Sequence, residues 1–186
     1  MEKSEIDLSK VRRESIIKLI DSTFKVLNVD ELNDETIAYG IRNYIAKYSL
    51  AKNTHLVSEK AYNQIKSDKI LRSHKKKFNV KFEHVVPSKV IFDHLIKLKA
   101  DGEYNSSKLR ELLELTDIVT IITKEENDLL DTKGSNECLR SKMVDDNIIS
   151  EETLFSRYEK VGIELLKDSD ELDGYHKINM GGAIYR

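Results

Sequence analysis

From Phe78 to Pro87 the chain reads Phe-Asn-Val-Lys-Phe-Glu-His-Val-Val-Pro, and its alternation predicts a strand. Val80, Phe82, His84 and Val86 fall on one face; Asn79, Lys81, Glu83 and Val85 fall on the other. Pro87, the chain's only proline, has no N–H for a ladder and a φ already set for a first helical turn. A strand must therefore stop here and a helix begin, with a carboxylate and an imidazole adjacent at the strand's end. A second strand is predicted at Ile118-Val119-Thr120-Ile121-Ile122, a run dominated by β-branched residues. Thr123 followed by Glu126 matches a capping box, which starts a helix at Lys124. Strand, intervening helices, strand and helix make a ββα unit in which Glu83 and His84 face Asn127.

The rest of the chain reads as helix. Asp7 or Ser9 can cap a helix to about Leu27, with Val11, Ile16, Ile17, Leu19, Ile20, Phe24 and Leu27 inward. Asn33 or Asp34 can cap a second, with Ile37, Ala38, Ile41, Tyr44, Ile45 and Tyr48 as its inner face. A third segment runs from Ser58 through Ala61, Tyr62 and Ile65 toward Ser73. Further helices are expected from Ser88 to about Leu98, after Ser106 or Ser107, and after Ser150. The fold class predicted is α+β and mostly helical. A helical platform spans 1–74, a core with the ββα unit and its inserted helices spans 75–165, and a tail without a trusted period spans 166–186.

With 186 residues the chain can bury a sizeable core in one domain. The formal net charge is only −2, but its distribution is uneven. Glu59 to Lys81 carries eight Lys/Arg against two acids, and Glu103 to Glu152 carries six against thirteen. A basic lobe beside an acidic one suits a chain that holds phosphate with one part and a cation with another. Cys138 is the single cysteine, which excludes an internal disulfide and a cysteine-based zinc knot. No apolar run reaches the length of a membrane span, and Met1-Glu-Lys-Ser-Glu-Ile lacks the apolar core of a signal peptide. The expectation is a soluble, cytoplasmic protein with no membrane partner.

A phosphodiester hydrolase needs a base for the attacking water and a cation to offset charge on phosphate and leaving oxygen. Histidine, with an ordinary pKa near about 6.5, suits the first role, and oxygen ligands on a hard cation such as Mg²⁺ suit the second. Glu83-His84-Val85-Val86-Pro87, with a later strand entering a helix that carries Glu126-Asn127, resembles the HNH (ββα-metal) nuclease family. The resemblance implies that His84 is the general base and Glu83 a ligand of Mg²⁺ or Mn²⁺. Asn127 becomes the helical ligand, with Glu126 as its rival, and Asp117 takes the place of the family's middle asparagine beside the histidine. Leu139-Arg140-Ser141-Lys142-Met143 and Arg157-Tyr158-Glu159-Lys160-Val161-Gly162-Ile163 resemble a small-nuclease subgroup more weakly. Candidate phosphate contacts are Arg72, Lys75, Lys76, Lys77 and Lys81 of the basic arm, then Arg140, Lys142 and Arg157.

The resemblance implies a metal-dependent DNA endonuclease, in a restriction or phage-defence setting. A homodimer or a partner protein of a defence system would complete it, since double-strand cutting with one site per chain favours two-fold pairing. Two alternatives use the same residues: a non-catalytic binding or adaptor protein with a degenerate HNH unit, and an RNA-directed toxin nuclease. Asp93-His94, a second acid–imidazole pair, lies mid-helix and reads as surface.

Overall fold

The computed structural model describes residues 7–52, 54–71, 79–131, 138–144, 147–166 and 177–179, with the side chains of 54, 68–71 and 177–179 excepted. In chain order the described elements are α1 (Leu8–Val26), α2 (Val29–Leu32), α3 (Glu35–Leu50), β1 (Thr54–Val57), α4 (Glu59–Leu71), β2 (Val80–His84), α5 (Ser88–Ala100), α6 (Ser106–Leu115), β3 (Val119–Thr123), α7 (Lys124–Leu130), α8 (Ser156–Val161) and β4 (Lys177–Asn179). The protein is thus α+β and mostly helical. Among the described residues no helix is long and apolar enough to cross a membrane.

Contacts divide the chain into two units that interleave along the sequence. One comprises residues up to 53 together with 91–117; the other comprises 54–90 and everything from 118 onward. The helices inserted between the two predicted strands group with the N-terminal helices, while β1 and α4 group with the sheet. A single boundary at residue 74 could not describe this arrangement, because tertiary contact, not chain order, decides which helix shares which core.

In the helical unit, each start is a short polar side chain that satisfies otherwise orphaned backbone N–H groups. Asp7 Oδ1 accepts from the N–H of Ser9 at 3.0 Å and of Lys10 at 3.3 Å. Asp34 Oδ1 accepts from Thr36 at 3.0 Å and Ile37 at 3.3 Å. At α6 the cap is Asn105, one residue before the serines expected, because its side-chain oxygen reaches both Ser107 and Lys108 at 3.0 Å. α1 packs on α3 and α6 through Ile16, Ile17, Ile20 and Phe24, all buried. The Phe24 ring stacks on Tyr104 at 5.0 Å and meets Phe92 edge-on at 6.3 Å. Val11 and Leu19, expected in the buried stripe, are exposed instead. Their helical period is real, but it marks a second stripe on the other side of α1.

In the second unit the four strands are ordered β2-β3-β1-β4. β2 and β3 are antiparallel, pairing Val80 with Thr123, Phe82 with Ile121 and His84 with Val119. β1 lies parallel to β3 and antiparallel to β4. β1 was not expected: four residues between a helix and Ser58 carry no readable period, and long-range pairing makes them a strand. Its sheet is covered on one face by α4, where Val57, Ala61, Ile65 and Ile121 form a core joined by Tyr62, Val80, Phe82 and Leu166. The helix expected after Ser150 begins only at Ser156 and ends at Gly162, whose φ of +72° lies in the left-handed region that glycine tolerates.

Candidate active site

Strand alternation divides the central dipeptide between two faces. His84 shares the side of Phe82 and Glu83 that of Lys81, so, contrary to expectation, the two do not both turn toward Asn127. Past His84 the ladder ends in a bend at Val85 and Val86, both fully buried, with the Val85 N–H still donating to the Ile118 carbonyl at 3.0 Å. The predicted strand is therefore shorter at both ends, and Glu83 and His84 sit at its last two ladder positions.

Arg157 organises that end. Its side chain is 0% exposed, and it donates to the carbonyls of His84 at 3.0 Å and Val85 at 3.2 Å and to Glu83 Oε1 at 3.2 Å. The expectation of a phosphate contact at Arg157 is corrected by this geometry: a guanidinium with no exposed surface cannot reach a polynucleotide. Its role is to hold the carboxylate and the strand end together. Burial raises the Glu83 pKa above the usual carboxylate value; Arg157, then His84, pull it down, and Asp131 adds the smallest push upward.

Asp131 was not among the expected residues. It follows Asn127 by one helical turn, so both lie on one side of α7; the Asn127 amide nitrogen approaches Asp131 Oδ2 at 3.5 Å. The signal that could have found it is this i, i+4 spacing of oxygen-bearing side chains. α7 packs against both β2 and β3, which brings Asp131 within electrostatic reach of Glu83. After the helix the chain returns, with the Leu139 N–H donating to the Leu130 carbonyl at 3.0 Å. Arg140, highly exposed, then lies 3.6 Å from Asp131.

Glu126 does something different from the ligand role it was considered for. Its Oε2 accepts from the Thr123 N–H at 2.8 Å and from the Ser58 hydroxyl at 2.6 Å, while the Thr123 hydroxyl accepts from the Glu126 N–H at 3.1 Å. The predicted capping box is present, and the buried carboxylate is engaged in it. Thr123→Ala removes one half of the box and is expected to cost about 1 kcal/mol, read as a lower urea midpoint with an unchanged slope.

Asp117 is also reassigned. It belongs to the helical unit, where its buried carboxylate pairs with the guanidinium of Arg13 and, at 2.7 Å, with Lys52. The Lys52 ammonium also donates to the Asp117 backbone carbonyl at 3.2 Å. The β2–β3 register stops at Val119, so Asp117 precedes the paired strand. The expectation that it supports His84 gives way to an ion-paired role within its own unit.

Burial pushes the Asp117 carboxyl up to about 6, against the pull of Lys52 and Arg13. A carboxyl raised on folding binds its proton more readily in the folded chain, so its contribution to stability grows as pH falls from 7 through 6. Half-buried His94 has a lowered pKa and works in the opposite sense over the same range. Asp117→Asn separates the two. Relative to that variant, the wild type should gain about 1.3 kcal/mol between pH 7 and pH 5; parallel pH profiles in chemical denaturation would contradict the assignment.

The remaining expected residues divide by position. Lys81 is exposed on β2, and Lys142 is partly buried. Arg72, Lys75, Lys76 and Lys77 lie outside the described residues. Of the Asp93-His94 pair read as surface, Asp93 is exposed but His94 is half-buried. Among the described residues no three His, Cys, Asp or Glu side chains converge as a metal cage. Glu83, Asp131 and the Asn127 amide carry oxygen donors, but among these described residues the only contact that joins any two is that of Asn127 with Asp131. Such a set fits a hard cation that keeps most of its own waters, not a closed protein site. No protein-family model, curated protein or solved structure matches the chain.

Proposed function

We propose that this protein is a divalent-cation-dependent endonuclease of the ββα-metal kind, cleaving phosphodiester bonds in DNA. The observation that carries the reading is the packing, within one unit, of α7, with Asn127 and its C-terminal cap Asp131, against β2, whose end bears Glu83 and His84. Glu83 is a partly buried carboxylate whose charge burial and Asp131 make more costly, and a cation beside it would relieve that cost. Glu83 and Asn127 would hold Mg²⁺ or Mn²⁺, with Asp131 alongside. When bound, the cation would offset charge on the scissile phosphate and the departing oxygen.

His84 would act in its neutral form and take the proton of the attacking water. Arg157 would keep the Glu83 carboxylate aimed and the strand end fixed, so that acid and base hold their spacing. Exposed Lys81 and Arg140 would contact backbone phosphates, which carry position but no base identity. Restriction or phage defence would suit such an activity.

The test is supercoiled plasmid incubated with the protein and Mg²⁺ or Mn²⁺, with structured RNA in parallel reactions. Nicked and linear plasmid, lost on addition of EDTA, is the expected result. Cleavage of RNA alone would move the reading to an RNA-directed nuclease. Intact substrates with both cations would leave the non-catalytic binding protein as the better account.

A further inference from the structure

α8 ends at Gly162, and the chain that leaves it closes one side of a cavity that the candidate active site does not use. The turn is fixed locally: the Ile163 N–H donates to the Tyr158 carbonyl at 2.9 Å, and Gly162 takes the left-handed φ that the reversal needs. Residues 163–166 then run beside the end of β1 and the start of α4. The Glu59 N–H donates to the Glu164 carbonyl and the Leu166 N–H to the Val57 carbonyl, each at 3.0 Å. Between them Ser58 and Leu165 form an isolated antiparallel bridge. Backbone bonds hold this strap in place, so the cavity is formed before a guest enters it.

Its volume is about 750 Å³, inside the range of small-molecule sites, roughly 300–1,000 Å³. The described residues that line it all belong to the sheet-containing unit. Phe155, Tyr158, Ile163, Leu165 and Leu166 make an apolar wall, with Tyr158 and Ile163 buried. Among the described residues the charged groups lining it are all acidic: Glu59, Glu159 and Glu164, each exposed. Lys60 and Lys160 follow two of them in the chain but do not line the cavity, because neighbours on a helix project about 100° apart.

A guest that fits must bring an apolar body for the wall and positive charge for the mouth. An anion would meet three carboxylates, and a neutral guest would gain nothing from them. Ring surface from Phe155 and Tyr158 adds attraction for a cation. The space exceeds what one lysine or arginine side chain fills, which favours a whole small molecule.

We propose that this cavity is a binding site for a small organic ammonium ion with an apolar body. The apolar part lies against Ile163, Leu165 and Leu166, and the ammonium sits among Glu59, Glu159 and Glu164. The assignment does not rest on the nuclease reading, since none of these residues belongs to that site.

Phenethylamine is the minimal probe, with phenethyl alcohol and hydrocinnamate as neutral and anionic counterparts of nearly the same body. In a titration followed by amide correlation spectra, phenethylamine should bind saturably at about 1 mM or tighter. The alcohol should bind about threefold more weakly and the carboxylate at least about tenfold more weakly. Shifts should centre on Phe155, Ile163, Leu165 and Leu166, and the preference should narrow as salt is raised. Combining Glu59→Gln, Glu159→Gln and Glu164→Gln should bring the three probes to within about twofold of one another. These positions are exposed, so folding is kept. Glu159→Lys together with Glu164→Lys should reverse the order, with hydrocinnamate binding best. Absence of saturable binding, equal affinity for the three probes, a preference that survives the triple variant, or shifts centred elsewhere would each overturn the proposal. So would tighter binding of a peptide with an internal Phe-Lys pair, which would place the cation on a protein partner instead.

Discussion

His84→Ala should lower cation-dependent plasmid cleavage by about 10²–10⁴-fold, the range typical of losing a positioned general base. Substrate affinity and thermal stability should stay close to wild type. The imidazole occupies the last ladder position of β2, opposite Val119, and the alanine methyl fits wherever the imidazole does. The backbone carbonyl of residue 84, which accepts from Arg157, survives the substitution. A loss in the rate of the chemical step without a loss of folding is therefore the signature expected. Glu83→Gln complements this experiment, because it keeps an acceptor for Arg157 while removing the charge a cation needs. Its deficit should shrink as Mn²⁺ concentration is raised, whereas that of His84→Ala should not. An alanine variant that cuts as fast as wild type would remove His84 from the chemistry.

Arg157→Ala should be the most destabilising single change in the sheet-containing unit, by about 3–5 kcal/mol. The guanidinium is fully buried and serves three acceptors, so its removal leaves two carbonyls and a carboxylate to find other partners. Burial already raises the Glu83 pKa with Arg157 present, and without it the carboxylate would be pushed further toward its neutral form. On heating, the loss should appear as a fall in melting temperature on the order of 10 °C. Arg157→Lys keeps the charge but not the planar fork, so an intermediate loss is expected. Combining Arg157→Ala with Glu83→Gln should cost less than the sum of the two, since the buried carboxylate is no longer left without its counter-charge. Additive losses would show that Arg157 acts through the backbone alone.

Arg157 also shows where residue-level reading stops. In the sequence it is one basic residue of a Ser-Arg-Tyr-Glu-Lys stretch, and nothing local separates it from exposed Lys160, three positions on. Its place in the interior comes from α8 packing against α7 and from its bonds to the end of β2. Glu126 and Asn127 present the same contrast over shorter range. The capping box at Thr123 and Glu126 was legible because its partners are three residues apart and its geometry is set by the helix start itself. What the sequence left open was whether Glu126 also serves as a ligand; in the structure its carboxylate is taken up by Thr123 and Ser58. Asp131, one turn beyond Asn127, was equally available to a helical spacing argument.

By itself the sequence determined what depends on neighbours a few residues apart. It set the α+β, mostly helical class, the β2 and β3 strands, the exit from the sheet at Pro87, helix starts at Asp7 or Ser9 and at Asn33 or Asp34, and the adjacency of Glu83 and His84. Tertiary structure alone decided which segments share a core, that Thr54–Val57 is a strand, that Asp117 is paired inside the helical unit, and that Arg157 is a buried clamp. The physical reason is one of range. Dihedral preferences, capping bonds and periodicity are settled within a turn or a pleat, whereas burial and ion pairing depend on groups that chain folding brings together from far apart, such as Arg13 with Asp117 and Glu83 with Arg157.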